Sequence, residues 1–155
     1  MGVAWDRAVT ALPQAAAFDL WLDPARWPTF VDGWGRIQRR HERWPEPGAT
    51  VVWQSRPGGR GTVTLKVLEL EPPSKVVLLV YDDKLGGTET ATFESDERGS
   101  RVHVSLDYEL NDSSPIKAIA DALFIRRALR DSIRRTLGRF AIEAAEEAAL
   151  PDARI

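Results

Sequence analysis

The sequence contains no cysteine, one methionine and two histidines among its 155 residues. The lack of cysteine excludes a disulfide scaffold, a thiolate-ligated zinc site and a thiol nucleophile. No apolar run approaches the roughly 20 residues that a membrane-spanning helix needs. The first residues also lack the basic and apolar regions of a signal peptide. These absences predict a cytoplasmic protein without an integral membrane segment.

An excess of positive charge is absent as well. The 21 Lys and Arg residues face 23 Asp and Glu residues, which gives a net charge of −2 and argues against a nucleic-acid partner. His41 and His103 both lie in polar contexts, so we expect them at the surface. Neither a His-based zinc site nor a Ser-His-Asp triad can be assembled from them. The sequence therefore predicts no metal and no cofactor.

Six short runs rich in Val, Leu and Thr occupy the middle of the chain, and turns containing Gly, Pro or Asp separate them. Such close spacing predicts antiparallel hairpins, because parallel strands need longer crossovers. In the last run, apolar residues from Val102 to Leu110 alternate with polar ones, as is typical of a sheet covered on one side. The predicted strands are 35–44, 49–56, 61–71, 75–82, 87–95 and 101–110.

Helical segments flank these runs. A first strand at 3–11 precedes a helix at 13–22 and a short helical turn at 24–33. Residues 115–149 contain one glycine and no proline after Pro115, which predicts a single helix about 50 Å long. The order is that of an α+β protein of one domain, residues 1–155: a seven-stranded antiparallel curved sheet around a long C-terminal helix. The predicted apolar stripe of that helix is Ile116, Ile119, Leu123, Ile133, Leu137, Phe140, Ala141 and Ala144.

A cavity is the expected consequence of this architecture. A twisted sheet of seven strands curls, and one long helix with two short ones offers little to fill its concave side. We therefore expect an internal space of ligand size, about 300 Å³ or more. The chain also contains six tryptophans. Tryptophan suits both the wall of a pocket for a flat apolar ligand and a packed core.

Four short segments give the chain a resemblance to a known family. They are Asp23–Pro24 through Trp27–Pro28, Val67–Glu69 followed by Pro72–Pro73, Gly99–Val102, and the arginine-rich helix from Ile125 onward. With the element order, they make residues 3–147 resemble the Bet v 1/START-like (SRPBCC) superfamily and its polyketide cyclase/dehydrase-like branch. The resemblance implies the helix-grip fold, a START-like ligand-binding domain whose two short helices close the cavity entrance.

The resemblance leaves the activity open, because fold does not decide function. The preferred interpretation is a protein that binds a hydrophobic small molecule, lipid-like or aromatic and polyketide-like. The alternative is a polyketide aromatase/cyclase or dehydrase with Glu89, Tyr81 and Arg56 as its polar groups. A third interpretation is an interaction module, of co-chaperone or antitoxin type, that uses the exterior of the sheet. A homodimer is a further option, because strand 75–82 is apolar on both faces.

No catalytic residue is assigned, but thirteen residues are candidates for the cavity wall. Glu89 has two interpretations: its parity with Ala91 and Phe93 directs it to the cavity mouth, whereas a position near a turn lets it reach water. We prefer the second, because a buried carboxylate needs a partner or a raised pKa. The pattern does not decide which way Tyr81 faces. The candidates are Trp27, Phe30, Trp53, Leu65, Val67, Tyr81, Glu89, Ala91, Phe93, Leu106, Tyr108, Leu123 and Leu137.

The final helix also carries six arginines between Arg126 and Arg139. Acidic residues four positions away from several of them predict a solvated face with salt bridges. Binding to anionic lipid headgroups is the alternative interpretation of the same residues.

Overall fold

The computed structural model describes residues 2–111 and 118–151, with only the backbone for residues 118–121. Seven antiparallel strands form one sheet, and the expected α+β helix-grip fold is confirmed. The elements are β1 (Gly2–Thr10), α1 (Gln14–Trp21), α2 (Trp27–Phe30), β2 (Trp34–Arg40), β3 (Thr50–Ser55), β4 (Thr62–Glu71), β5 (Lys75–Tyr81), β6 (Leu85–Asp96), β7 (Gly99–Leu110) and α3 (Ala118–Ala149). The strand order is β1-β7-β6-β5-β4-β3-β2, so β1 and β2 are the edges.

Helix α1 begins directly after Pro13, close to the start that the sequence indicates. Proline is tolerated at a helix start because the backbone N–H that it lacks would have no acceptor within the helix there. The amide of Ala17 donates to the Pro13 carbonyl at 2.9 Å and closes the first turn. The side chain of Gln14 donates to the backbone carbonyl of Phe93 at 2.7 Å. This contact ties α1 to β6, and it directs the aromatic residues of the helix towards the concave face of the sheet.

Strand β6 begins at Leu85, two residues before the predicted start at 87. A Cβ atom at Gly87 would overlap the backbone carbonyl of Asp107, so only glycine lets β6 approach β7 this closely. The pairing therefore continues through Gly87, which lies opposite Tyr108. As a result Glu89 lies well inside the strand and not beside a turn.

The core contains two clusters. The larger one joins the concave face of the sheet to α1, α2 and the second half of α3, and its fully buried side chains include Phe30, Phe93 and Phe140. The smaller one consists of Ala4, Leu85, Leu106 and Tyr108, with the first half of α3 packed on it. Ile133 packs against both clusters, so α3 covers them in sequence.

The apolar stripe of α3 is only partly the predicted one. Leu137, Phe140 and Ala144 are buried as expected. Leu123 is 67% exposed, and Ile125 and Leu129 pack on the sheet instead. The helix keeps a period of 3.6 residues, and counting back from Phe140 by that period puts Leu123 on the outer side. The predicted start at 115 and the side chains of Ile116 and Ile119 lie outside the described residues.

Among the described residues, no helix combines the length and the apolar character needed to cross a membrane.

Candidate functional site

A cavity lies between the concave face of the sheet and α3, closed at one end by α2 and the segment that follows it. Its volume is about 90 Å³. Most of its wall is aromatic or aliphatic, and the polar side chains in it are Glu89, Ser132 and Thr136. The lining residues are Trp21, Trp27, Phe30, Val31, Trp53, Leu65, Glu89, Val104, Ser132, Ile133 and Thr136.

This cavity is smaller than the expected 300 Å³, because aromatic side chains of the short helices fill much of the concave side. The ring of Trp21 lies 5.7 Å from that of Phe30 and 5.3 Å from that of Phe140, between centroids. Phe30 and Phe140 are 5.1 Å apart, and Phe18 packs edge-on against Phe93 at 5.4 Å. Two short helices can therefore occupy a volume that a count of helices suggests is empty.

Four further tryptophans form the wall beside this cluster: Trp27, Trp34, Trp44 and Trp53. Trp27 packs edge-on against Trp44 at 5.6 Å, and Trp34 stacks on Trp53 at 5.0 Å. The indole N–H of Trp27 donates to the carbonyl of Trp21 at 2.8 Å, and that of Trp44 donates to the carbonyl of Leu22 at 2.8 Å. These bonds satisfy two buried donors and fix the linker between α1 and α2 against the wall.

Glu89 faces the cavity from the middle of β6, so the preferred interpretation that it lies near a turn is wrong. Its cross-strand neighbours are Leu78 on β5 and Leu106 on β7, both buried, and directly opposite residues share a face of the sheet. The residue stays partly accessible because it lines the cavity. Among the described residues, none forms a hydrogen bond with its carboxyl group. Desolvation in this wall raises the pKa of Glu89 above its ordinary value, and the positive charge of Arg60 acts in the opposite direction.

One aspartate ties the rim of the cavity to α3. Asp32, which follows the lining residue Val31, receives hydrogen bonds from Arg135 at 3.0 Å, from Ser132 at 2.8 Å and from Arg139 at 3.3 Å. We call these four residues, Asp32 and its three donors, the Asp32 clasp. Burial acts to raise the pKa of Asp32, but the hydrogen bonds from Arg135 and Ser132 outweigh it and lower the pKa. The clasp fixes the segment after α2 to α3. Among the described residues, the arginines of α3 that form salt bridges pair with Asp32 and Asp6, and not with the acidic residues four positions away that the sequence predicted.

Replacing Asp32 with alanine is expected to reduce the free energy of unfolding at pH 7 by about 1–2 kcal/mol, because charge-assisted hydrogen bonds are lost although the arginines are half exposed. A carboxyl with a lowered pKa stabilises the fold above its unfolded pKa and loses that effect as the pH falls. The difference from the wild type should therefore shrink below about pH 4. Urea unfolding at several pH values measures it.

Asp6→Ala is the matched control. Asp6 lies on β1 and forms a single ion pair with Arg134 of α3, at 3.2 Å. A single exposed pair is worth about 0–1 kcal/mol. Equal losses for the two variants, or a loss at Asp32 that persists at acid pH, would contradict the role of the clasp.

The thirteen predicted residues have different positions. Trp27, Phe30, Trp53, Leu65 and Glu89 line the cavity. A second group is buried in the core without lining it, in the larger cluster or in the smaller one: Val67, Ala91, Phe93, Leu137, Leu106 and Tyr108.

Tyr81 and Leu123 do not contribute to the cavity wall. Tyr81 is 49% exposed, because Val76, Leu78 and Val80 of β5 face the core and the alternate residues face outward. The open parity of this strand is thereby settled. Arg56 lies just beyond the end of β3, where its side chain donates to the carbonyl of Trp34 at 3.2 Å. Of the three polar groups named for a cyclase, only Glu89 faces the cavity.

Sequence reasoning missed six lining residues. Trp21, Val31 and Val104 belong to segments whose apolar residues were recognised, so their burial was foreseeable although their contact with the cavity was not. Ser132, Ile133 and Thr136 lie on α3, where one turn presents two hydroxyl groups to the cavity. The inner face of a helix is assigned from its apolar residues, so hydroxyl-bearing residues on that face are not predicted.

Both histidines lie in the surface layer, as expected. His41 is exposed, and His103 stacks on Trp5 on the convex side of the sheet with ring centroids 5.2 Å apart. Among the side chains that the structure describes, no cluster of His, Asp and Glu is arranged to hold a metal ion.

The fold and part of the sequence are similar to those of known proteins. A family model described as "Polyketide cyclase / dehydrase and lipid transport" matches residues 6–145. No curated protein sequence matches the chain.

Solved structures with this fold are numerous. The di-domain ARO/CYC StfQ from the steffimycin biosynthetic pathway is 21% identical, with a TM-score of 0.75, 96% of this chain covered and 52% of StfQ covered. TTHA0849 from Thermus thermophilus is 14% identical, with a TM-score of 0.72, and the match covers 96% of this chain and 100% of TTHA0849. The Aha1 dimer from Colwellia psychrerythraea is 13% identical, with a TM-score of 0.56, and the match covers 89% of this chain and 98% of the Aha1 chain. At these identities the likeness concerns the fold alone.

Proposed function

Because the chain belongs to the family described as polyketide cyclase / dehydrase and lipid transport, we propose that it binds a hydrophobic small molecule between the sheet and α3. The family membership confirms the resemblance drawn from the sequence. The observation that carries the proposal is the internal cavity, whose wall is mainly aromatic and aliphatic. Such walls favour apolar ligands, and few polar groups then fix the orientation of the ligand.

The volume of the cavity limits what the closed form can hold. A volume of about 90 Å³ is below the roughly 150 Å³ of a protein cavity that binds benzene, and sites for larger ligands start near 300 Å³. A single aromatic ring requires a small expansion of the walls. A lipid-like or polyketide-like ligand requires the segment around Val31 to leave α3, which breaks the Asp32 clasp.

The alternative function, cyclisation or dehydration of a polyketide, has less support. This reaction needs several polar groups that converge on the reacting chain. Of the three polar groups predicted for a cyclase, Glu89 alone lines the cavity, together with the hydroxyls of Ser132 and Thr136. A binding role requires no such convergence. A cytoplasmic location and a homodimer stay predictions.

Toluene tests the proposal, because it is a single apolar ring without a polar group. We expect the indole N–H signals of Trp21, Trp27 and Trp53 to shift in NMR spectra as toluene is added, since these residues line the cavity. The signal of Trp5 is an internal control, because this residue lies on the convex side and is 46% exposed. Equal shifts for Trp5 would indicate a solvent effect, and absent shifts at saturation would contradict the proposal.

A variant that fills the cavity completes this experiment. Ile133→Trp places a large side chain at a lining position, so it is expected to abolish the toluene shifts. Ile142→Trp makes the same change on the exposed side of α3 and should leave them intact.

A further inference from the structure

Glu89 places a carboxyl group in the cavity wall, where it has no hydrogen-bond partner among the described residues. Its cross-strand neighbours are leucines, and no described residue donates a hydrogen bond to it. Arg60 is the described charged group that acts on it, but the Arg60 side chain is held by Asp82 at 2.8 Å. A carboxyl group in an apolar wall is costly unless a donor reaches it. A donor to Glu89 must therefore be water or a bound molecule, and a charged N–H donor forms the stronger hydrogen bond.

The walls around Glu89 suit one kind of donor in particular. Trp21, Trp27, Phe30 and Trp53 contribute four aromatic rings to the same cavity. The faces of aromatic rings are electron-rich, and indole attracts cations most strongly. The guanidinium of Arg60 already lies 5.8 Å from the ring centroid of Trp53, so a cation is accommodated beside this indole. A carboxyl group among aromatic rings is complementary to an ammonium group.

We propose that the cavity selects an organic ammonium ion, with an apolar body among the aromatic rings and its N–H groups donating to Glu89. This inference rests on the proposed binding function and names the class of ligand. A carboxylate of the same shape or a neutral isostere forms no ion pair with Glu89. The geometry therefore assigns Glu89 the role of a specificity-determining residue.

Charge is balanced when the ammonium ion enters. Desolvation favours the neutral carboxyl in the empty cavity, because it raises the pKa of Glu89. The ammonium ion favours the carboxylate and so acts against the desolvation, and the resulting ion pair is neutral overall. The cross-strand neighbours of Glu89 are leucines of β5 and β7, and the other polar side chains that line the cavity, Ser132 and Thr136 on α3, carry no charge. Arg60 keeps its partner Asp82 throughout.

Benzylamine, benzyl alcohol and toluene provide the test, because they share one ring and differ in the attached group. We expect benzylamine to bind at least about tenfold more tightly than benzyl alcohol at neutral pH, since charge-assisted hydrogen bonds are the stronger ones. Glu89→Gln should abolish this preference while toluene still binds. The pKa of Glu89 should fall when benzylamine binds and should not fall when toluene binds, which an NMR titration of the Glu89 carboxyl group with and without each compound measures.

Glu94→Gln is the matched control, because Glu94 lies on the same strand, is exposed and pairs with Arg101 on the surface. It should leave all three affinities unchanged. Equal binding of the alcohol and the amine by the wild type would overturn the ammonium assignment but leave the proposed function standing. Failure of all three compounds to bind would overturn both. A preference for benzylamine that survives in Glu89→Gln would place the cation elsewhere and also overturn the assignment.

Discussion

Replacing Phe140 with alanine is expected to reduce the free energy of unfolding by about 3–5 kcal/mol, the usual cost of removing a buried phenyl ring. Phe140 is fully buried on α3, and its ring packs edge-on against Trp21 of α1 and Phe30 of α2. These three rings connect all three helices above the sheet, so the space left by Phe140 cannot collapse without moving two other elements. Urea unfolding followed by circular dichroism measures the loss.

Ile142→Ala is the control for this variant. Ile142 lies two residues further along α3 and is 63% exposed, so its truncation should change the stability by no more than about 0.5 kcal/mol. Alanine is a strong helix former in both positions, which separates packing from helix propensity. A loss below about 1.5 kcal/mol at Phe140 would show that the three-ring cluster relaxes to fill the space.

The architecture was predictable because the strands alternate strongly between apolar and polar residues. In β7 the buried residues include Val102, Val104, Leu106 and Tyr108, as the alternation predicts. A shift of the strand pairing by one residue would move all of these apolar side chains to the exposed face, so the register is strongly specified. Turn residues mark the hairpins in the same way. Boundaries differ by a few residues where local chemistry intervenes, as at Gly87, which extends β6 towards β7.

The orientation of single residues was less predictable wherever the pattern was uniform. Strand β5 is apolar on both faces, so Tyr81 could be assigned only from the structure, where Val76, Leu78 and Val80 occupy the core side. In α3 the stripe drifts between Leu123 and Ile133, and a helix of this length magnifies a small error in phase.

The size of the cavity depends on side-chain volume, which a count of elements does not include. The expected hollow assumed that short helices fill little space, yet Trp21 and Phe30 reach across the concave side to Phe140. The high tryptophan content therefore has both predicted consequences. Trp44 fills the wall behind the cavity, while Trp27 and Trp53 line it.

Replacing Glu89 with leucine is expected to raise the free energy of unfolding at pH 7 by about 1–3 kcal/mol, the range for a desolvated polar group without a partner. The leucine side chain has a similar volume, and it would join Leu78 and Leu106, the cross-strand neighbours of Glu89. Glu94→Leu on the same strand is the control, and its exposed position predicts a change within about 0.5 kcal/mol.

The stability that Glu89→Leu gains over the wild type should increase with pH. The pKa of Glu89 is raised in the folded protein, so the folded state holds its proton at pH values where the unfolded state has released it. The stability of the wild type therefore falls as the pH rises from about 4.3 towards the folded pKa, and it is level above that value. The leucine variant lacks this dependence, so the difference between the two proteins should grow as the pH rises from about 4 through the folded pKa of Glu89. A difference that is constant with pH would mean an unshifted carboxyl, and a less stable leucine variant would mean that Glu89 already has a favourable partner. The expected outcome instead assigns Glu89 a destabilising charge that a bound ammonium ion offsets, so the ligand should stabilise the wild type more than the leucine variant.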